Sequence, residues 1–262
     1  MAETTPGARQ RQELQKPANG EPMVVVNQLV KQFGKLRAVD NLSMNIHAGE
    51  TFGLIGPNGS GKTTLIRMLV GLILPTSGTI QIMNERVPSS KIAAQMGYMT
   101  QLSALYLDLT ARENMQFFCN VYGLRGKEQK LRIMEMLERV ELADRANDVV
   151  GKFSGGMKQR LSLACALVHH PSIALLDEPT VGVDPELRRA FWDYFAQLNS
   201  EGVTIIVSTH HLDEALRCER LGLMRNGVLL VQDSPQEVLR QSGQDDMEEA
   251  FLFYARRQEV QK

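Results

Sequence analysis

The chain contains one stretch that decides its fold, Gly56-Pro57-Asn58-Gly59-Ser60-Gly61-Lys62-Thr63-Thr64. This stretch matches the pattern GxxxxGK(S/T) and lies between an apolar run, 51–55, that predicts a strand and an apolar-faced run, 61–74, that predicts a helix. Glycines let backbone N–H groups turn inward around phosphate oxygens, and the helix directs its positive end towards them. We therefore expect Lys62 to reach the β- and γ-phosphates of ATP and Thr63 to ligate Mg²⁺. A glycine-rich turn with a surface lysine is the alternative, and it would not require this order of strand, loop and helix.

The second half of a nucleotide site is predicted where an apolar run ends in adjacent carboxylates, in Ile173-Ala174-Leu175-Leu176-Asp177-Glu178-Pro179. Because side chains alternate along a strand, Asp177 and Glu178 are expected to point in different directions. We assign Asp177 to Mg²⁺, held through water, and Glu178 to polarising the water that attacks the γ-phosphate. Taken alone, a strand ending in Asp-Glu is most often a solvated strand end. The phosphate loop upstream favours the functional interpretation.

Predicted strands and helices alternate along most of the chain, which indicates an α/β fold with a parallel sheet covered on both faces. A mostly helical insertion is predicted at about 102–168, and Thr110 and Glu113 form a capping box at the start of its first helix. Arg225-Asn226-Gly227 separates two short apolar runs and predicts a hairpin. The predicted organisation is a disordered tail at 1–22, one ATPase domain at 23–242 and a C-terminal helix at 243–262.

The composition does not indicate a nucleic-acid binder, because 29 basic and 30 acidic residues leave a net charge of -1 rather than a basic excess. This balance still allows a local basic patch. The three cysteines are far apart and predict free thiols in a reducing compartment. The longest apolar run, 65–74, is interrupted by Arg67 and is shorter than the roughly 20 residues of a membrane span. The polar N-terminal stretch has no signal-peptide pattern. We therefore expect a cytosolic protein whose membrane role, if any, comes through a partner.

A third motif, Phe153-Ser154-Gly155-Gly156-Met157-Lys158-Gln159-Arg160, places a serine and two glycines at the start of a predicted helix. Such a helix start is a second potential anion site. The motif resembles the signature of ABC transporter ATPases, usually LSGGQ, with Phe153 and Met157 as departures that we do not expect to abolish activity. The resemblance implies a P-loop NTPase (RecA-like) core with an antiparallel β subdomain and a helical insertion specific to the family.

In the ABC family the signature of one subunit completes the nucleotide site of the other. The resemblance therefore implies that Ser154, Gly155 and Gly156 face ATP bound to a second subunit, in a head-to-tail dimer. The second subunit would be a copy of this chain or a homologous ATPase subunit. Two-fold symmetry permits this arrangement, since each patch then meets its counterpart.

Four further residues match motifs of the family in the same order along the chain. Gln101 resembles the Q-loop glutamine, which senses Mg²⁺ and the membrane partner, and Asp184 lies in a segment that resembles the D-loop at the nucleotide site. His210 resembles the switch histidine near the γ-phosphate, and Phe33 resembles the aromatic residue that stacks on adenine. Each residue also has a plainer interpretation. Gln101 could be a surface side chain, His210 a capping or core histidine, Phe33 a packing residue and Asp184 a helix cap.

The helical region around Leu109-Thr110-Ala111-Arg112-Glu113-Asn114 resembles that of ATPases serving drug, lipid and polysaccharide exporters, and 246–252 resembles their C-terminal ending. In the plainer interpretation, the apolar face of that terminal helix only packs on its own domain. The resemblance implies a peripheral subunit on the cytoplasmic face of the membrane that powers export by a separate permease. A short coupling helix of the permease would insert near Gln101 and the helical insertion.

Two rival functions remain open from the sequence. One is a soluble ABC ATPase acting on nucleic acid or the ribosome, although the long coiled-coil insertions, zinc cysteines and tandem domains usual in such proteins are not found in the sequence. The other is a non-enzymatic adaptor in which ATP only joins two subunits. The presence of both Lys62 and Glu178 disfavours that second alternative.

Overall fold

The computed structural model describes residues 15–101 and 104–260. Within these ranges the strands are β1 Pro22–Phe33, β2 Leu36–His47, β3 Thr51–Ile55, β4 Ser77–Ile82, β5 Glu85–Arg86, β6 Met96–Met99, β7 Ile173–Asp177, β8 Thr204–Thr209, β9 Arg220–Arg225 and β10 Val228–Asp233. The α-helices are α1 Lys62–Leu69, α2 Ser90–Ala93, α3 Ala111–Tyr122, α4 Gly126–Arg139, α5 Gly155–Leu167, α6 Pro185–Ser200, α7 Pro235–Ser242 and α8 Met247–Val260. Short 3-10 turns cover Ala143–Arg145, Val150–Lys152 and Leu212–Arg217.

The main sheet has the strand order β10-β9-β3-β8-β7-β6. Pairing is parallel from β9 to β6, and β10 joins β9 as the predicted antiparallel hairpin. The register pairs Ile55 with Thr209 and Asp177 with Ser208. Because the carboxyl ends of parallel strands meet at one edge of a sheet, the segments that follow β3, β7 and β8 converge there.

Successive residues of the central strands enter different cores, as expected for a sheet buried on both faces. Ala174 and Leu176 of β7 pack with the helical region and α6, whereas Ile173 and Leu175 pack with α1 and the second sheet. That second sheet is antiparallel, with the order β2-β1-β4-β5. The predicted fold, a P-loop core with an antiparallel β subdomain and a helical insertion, is confirmed.

The helical insertion begins with the predicted capping box. Thr110 Oγ1 accepts a hydrogen bond from Glu113 N at 3.2 Å, and Glu113 Oε2 accepts one from Thr110 N at 2.8 Å. Helices α3, α4 and α5 bury their apolar faces in one cluster. Residues 102–103, where the insertion was predicted to start, lie outside the described residues.

Helix α1 is shorter than its predicted range, 61–74. Gly71 has φ 78, and its N–H caps Met68 O at 3.1 Å, so the helix ends at Leu69 before Pro75 can act as the stop. The elements β5, α2 and α7 were not predicted. Strand β5 and helix α2 have only two and four residues, too few for a periodic pattern. No helix within the described ranges is both long and apolar enough to cross a membrane.

The predicted tail, 1–22, is too long at its C-terminal end. Gly20 N donates to Ala48 O at 3.2 Å and Ala48 N to Glu21 O at 2.8 Å, which joins this segment to the turn after β2. The chain is thus hydrogen-bonded before Pro22, where β1 begins. Residues 1–14 of the predicted tail lie outside the described residues, as do 261–262 at the predicted C-terminal helix.

Candidate functional site

The phosphate-binding loop, residues 56–64, joins the end of β3 to the start of α1. Gly59 and Gly61 have φ 79 and 105, a conformation that side chains other than glycine rarely adopt. A Cβ on Gly61 would lie 2.4 Å from Ala38 O, so the loop also packs too closely against β2 for any side chain there. The loop is therefore fixed by local backbone sterics, and it precedes a helix N-terminus as an anion site requires.

Lys62 is the first residue of α1 and is only 4% exposed. Its Nζ donates to Gly56 O at 2.7 Å and to Pro57 O at 3.2 Å, and lies 3.5 Å from Glu178 Oε1. Burial lowers the pKa of Lys62, while the neighbouring carboxylates of Glu178 and Asp177 act in the opposite direction. The loop thus carries a cation that is already oriented by its own carbonyl groups.

Asp177, the last residue of β7, is buried beside Thr63. Its Oδ1 accepts from Ser208 Oγ at 2.6 Å and from Thr63 Oγ1 at 3.2 Å. Burial raises the pKa of Asp177, and the two hydroxyl donors oppose this shift. A hydroxyl and a carboxylate oxygen are hard ligands of the kind that Mg²⁺ prefers, so these residues fit the ion predicted for them.

Glu178 is positioned differently from the expectation based on strand alternation. The strand ends at Asp177, and Glu178 has φ 53, so the direction of its side chain is set by a left-handed backbone rather than by the pleat. Its N–H donates to Ser208 Oγ at 2.9 Å. The two carboxylates do separate, but the cause is the turn that begins at Glu178.

The Glu178 carboxylate is 5% exposed and lies among three residues singled out from the sequence. One oxygen faces Lys62, as described above. The other accepts from Gln101 Nε2 at 3.3 Å and lies 3.5 Å from His210 Nδ1. The structure thus brings the ends of β3, β6, β7 and β8 to one carboxylate.

Ser208 was not identified as a site residue from the sequence, although it contacts both carboxylate residues. Its hydroxyl donates to Asp177 and accepts from the backbone of Glu178. The signal was a buried hydroxyl residue at the end of an apolar strand, two positions before His210. Its role depends on the pairing of β7 with β8, which the sequence does not specify.

The signature segment, residues 153–157, lies at the start of α5. Ser154 is the N-cap of this helix, and its Oγ accepts from Met157 N at 3.2 Å. Ser154 and Gly155 are exposed, and a Cβ on Gly155 would meet nothing within 4 Å. Among the described residues no hydrogen bond or ion pair joins this segment to the phosphate-binding loop. It is therefore a second helix start, open to solvent and separate from the first.

Within the described part of the chain, no hydrogen bond or ion pair joins Asp184 or Phe33 to the phosphate-binding loop. Asp184 is exposed and caps α6, where its Oδ1 accepts from Leu187 N at 2.9 Å. Phe33 lies at the end of β1, 48% exposed, with Lys31 Nζ 4.9 Å from its ring centroid. The structure shows Asp184 as a helix cap. The predicted roles of Asp184 and Phe33 in binding nucleotide stay predictions.

The parallel sheet, the phosphate-binding loop and the paired hydroxyl and carboxylate at its edge define a P-loop NTPase. The model of the ABC transporter family matches residues 39–181. The chain belongs to the ABC transporter family, which confirms the family predicted from the signature segment.

Several curated proteins resemble this chain. The probable multidrug ABC transporter ATP-binding protein YbhF of Escherichia coli is 42% identical over 240 residues, which is 89% of this chain and 42% of YbhF. The Nod factor export ATP-binding protein I of Ralstonia nicotianae is 38% identical over 83% of this chain and 69% of its own. The linearmycin resistance ATP-binding protein LnrL of Bacillus subtilis is 37% identical over 245 residues, which is 89% of this chain and 79% of LnrL. The chain thus spans less than half of YbhF and most of the other two relatives.

Solved structures agree with this assignment. An ATP-binding subunit of an ABC transporter superposes with a TM-score of 0.81 at 27% identity, covering 89% of this chain and 99% of the other. A dimeric post-hydrolysis state of the ATP-binding cassette MJ0796 bound to ADP and Pi gives a TM-score of 0.75 at 30% identity. The match covers 81% of this chain and 98% of the MJ0796 chain.

Proposed function

We propose that this chain binds and hydrolyses ATP as a subunit of an ABC exporter, and that it powers a separate membrane permease. The observation that carries the proposal is the convergence of Lys62, Gln101 and His210 on the buried carboxylate of Glu178. A carboxylate in hydrogen-bonding surroundings next to a phosphate-binding loop suits the polarisation of an attacking water. ATP hydrolysis is the reaction that uses all of these groups together.

The residues divide the chemical work. Lys62 and the loop N–H groups would hold the β- and γ-phosphates, and His210 would orient the γ-phosphate and the water. Thr63 and Asp177 would hold Mg²⁺, with Gln101 near it, and the bound ion would neutralise charge that develops on the phosphate oxygens. Glu178 would accept the proton of the water. Its backbone N–H donates to Ser208 Oγ, which anchors the residue to the neighbouring strand β8.

The exposure of the signature segment supports a head-to-tail dimer. Ser154 and Gly155 offer a hydroxyl and a helix N-terminus to an anion, but they are separate from the phosphate-binding loop of their own chain. A second copy, or a homologous ATPase subunit, related by a two-fold axis would place this helix start against ATP on the first chain. The solved cassette MJ0796 is dimeric, which supports a dimer of this chain as well.

Export is supported by the names of the relatives. Those reported above are named for multidrug transport, Nod factor export and linearmycin resistance. These names describe different cargo, so the proposal extends to export and to a location on the cytoplasmic face of the membrane, without naming a transported molecule.

An exposed apolar patch on the helical region is the proposed permease contact. It consists of Tyr106, Leu107, Phe117 and Val121, all exposed. The Tyr106 and Phe117 rings meet edge-on at 4.8 Å, and Phe117 lies 5.4 Å from Phe118. Phe118 in turn lines a small cavity beside Thr100, the neighbour of Gln101. A helix inserted on this patch would thus reach the strand end that carries Gln101 to the catalytic carboxylate.

The test is co-purification from detergent-solubilised membranes, with a tagged chain and mass identification of the proteins that accompany it. We expect a membrane protein with several spans to co-purify in an amount nearly equal to that of the tagged chain. The Phe117→Asp variant should no longer co-purify with this protein. Leu131→Asp is the matched control, because Leu131 is an exposed apolar residue of the same helical region but lies outside the patch. Co-purification of ribosomes or nucleic acid, without a membrane protein, would favour the soluble ATPase instead.

A further inference from the structure

The turn that follows Glu178 is held by side chains from two other elements. Gln159 Nε2, on α5, donates to Pro179 O at 2.8 Å. Thr180 is fully buried, and its Oγ1 donates to Glu214 Oε2 at 3.1 Å, in the 3-10 turn after His210. We call residues 178–181 the catalytic turn, since Val181 N closes it on Glu178 O at 3.3 Å.

Gln159 belongs to the same helix as the signature segment. Helix α5 starts at Gly155, so Gln159 lies in its second turn, close behind the residues that form the exposed anion site. A helix moves as a rigid unit over so short a distance. Any shift of Ser154 and Gly155 on binding an anion is therefore carried to Gln159, and through its hydrogen bond to Pro179.

The position of Pro179 makes this link matter for catalysis. Pro179 follows Glu178 directly, and Glu178 already has a backbone conformation that is uncommon for a residue with a side chain. The backbone N–H of Glu178 is held by Ser208 Oγ, whereas the carbonyl of the next residue, Pro179, is held by Gln159 Nε2. A movement of this carbonyl re-aims the Glu178 carboxylate towards or away from the attacking water, and small misplacements of such a group reduce rates strongly.

We propose that Gln159 is a positioning residue that couples the two nucleotide sites of the dimer. In each chain it joins the helix that completes the partner's site to the catalytic turn of its own site. Occupation of one site then sets the orientation of Glu178 in the other. This inference rests on the proposed head-to-tail ATPase dimer, and it adds to it a defined route through one side chain.

Mixed dimers of the full chain, purified through two different tags, test the route. In the first dimer one protomer carries Gln159→Leu and its partner carries Glu178→Gln, so hydrolysis is confined to the site whose own chain lacks Gln159. In the second dimer one protomer carries both Gln159→Leu and Glu178→Gln and its partner is unmodified, so hydrolysis is confined to the site that the altered signature helix completes. The reference dimer carries Glu178→Gln in one protomer only.

We expect the first dimer to hydrolyse ATP about fivefold more slowly than the reference, as for the loss of one neutral hydrogen bond in the transition state. The second dimer is expected to match the reference, because its working Glu178 keeps its own Gln159. Gln159→Glu should enlarge the loss in the first arrangement, since it places an oxygen against Pro179 O. Gln129→Leu is the control, because Gln129 also donates to a carbonyl, Leu124 O, within the helical region.

The outcomes separate the inference from the function on which it rests. A slower second dimer with a normal first one would assign Gln159 to the signature segment alone and overturn the coupling. Equal losses in both dimers, or no loss in either, would also overturn it, and melting temperatures beside Gln129→Leu identify an unfolded variant. A reference dimer that does not hydrolyse ATP would overturn the proposed function itself, and the inference with it.

Discussion

The catalytic edge, formed by Lys62, Asp177 and Glu178, and the signature segment provide two ways of binding phosphate in one chain. All three residues of the edge are at most 5% exposed, and each is held by at least one polar partner within the chain. In the signature segment, Ser154 and Gly155 are exposed, and the segment offers a helix start with a single hydroxyl. One region is complete and buried, whereas the other is complementary to something outside the chain.

The difference follows from the cost of burying charge. Ionised side chains lose hydration when they are buried, so they persist there only with partners and fixed geometry. A helix N-terminus carries partial charge on backbone groups that exist anyway, and it can remain in water until an anion arrives. The catalytic edge can therefore be preorganised by folding, while the signature segment can act only when two chains close on a nucleotide.

The largest expected effect is at the catalytic edge. Glu178→Gln keeps the size of the side chain and its contact with Gln101, but it removes the carboxylate that would accept a proton. We expect the rate of ATP hydrolysis to fall by about a hundredfold or more, measured by phosphate release. ATP binding should persist, and the ATP-bound dimer should accumulate on size exclusion. A variant with the wild-type rate would show that another group activates the water.

The next effect separates the two regions directly. Gly155→Asp introduces a carboxylate at an exposed site where a Cβ meets nothing within 4 Å, so the fold should be unchanged. The negative charge would face the partner's phosphate, and we expect hydrolysis to fall by about a hundredfold. A melting temperature equal to that of the wild type, with normal ATP binding to the monomer, would confirm that the segment serves only the dimer. Loss of nucleotide binding by the monomer would break the comparison.

The regions also differ in how far the sequence determines them. The phosphate-binding loop, Asp177 and the signature serine are recognisable because their geometry is local: a turn, a strand end and a helix cap. The structure placed them as the spacing indicated. Contacts between distant elements were not predictable in this way. Ser208 reaches Asp177 only through the register of β7 with β8, and Gln159 meets Pro179 only once α5 packs beside the sheet.

Two local errors have a physical explanation as well. The apolar-faced run 61–74 predicts a longer first helix than the structure has, because Gly71, with its left-handed backbone, ends the helix earlier and satisfies a last helical carbonyl. The alternation argument for Glu178 was wrong because the strand ends one residue before it. Both errors come from extending a regular element past a residue with positive φ, which single-sequence periodicity does not reveal.

Burial of the ionised Asp177 carboxylate should lower the free energy of unfolding. The variant Asp177→Asn removes this charge and so measures its cost. Burial raises the pKa of Asp177, so the folded protein takes up this proton more readily than the unfolded chain does. The cost of the ionised form is therefore present at neutral pH and disappears as the pH falls through the raised pKa. We expect Asp177→Asn to be more stable than the wild type at pH 7, and this gain in stability to shrink as the pH falls through the raised pKa of Asp177.

Chemical denaturation at several pH values provides the measurement. The amide retains an oxygen for the hydroxyls of Ser208 and Thr63, so the change removes charge more than it removes packing. A variant less stable than the wild type at pH 7 would show that the partners of Asp177 outweigh the cost of its burial. In that case the catalytic edge would contribute to folding as well as to chemistry.

The smallest expected effect compares two helix caps of the same chemistry. Ser154 Oγ accepts from Met157 N at the start of α5, and Ser234 Oγ accepts from Glu237 N at the start of α7, both at 3.2 Å. Ser154→Ala and Ser234→Ala should each cost about 1 kcal/mol of stability through the lost cap. Only Ser154→Ala should also slow hydrolysis, by roughly tenfold if the hydroxyl meets a phosphate oxygen in the dimer. Equal rates of ATP hydrolysis for the two variants would show that Ser154 acts only as a helix cap. The backbone N–H groups of Gly155 and Gly156 would then be the groups that bind the partner's nucleotide.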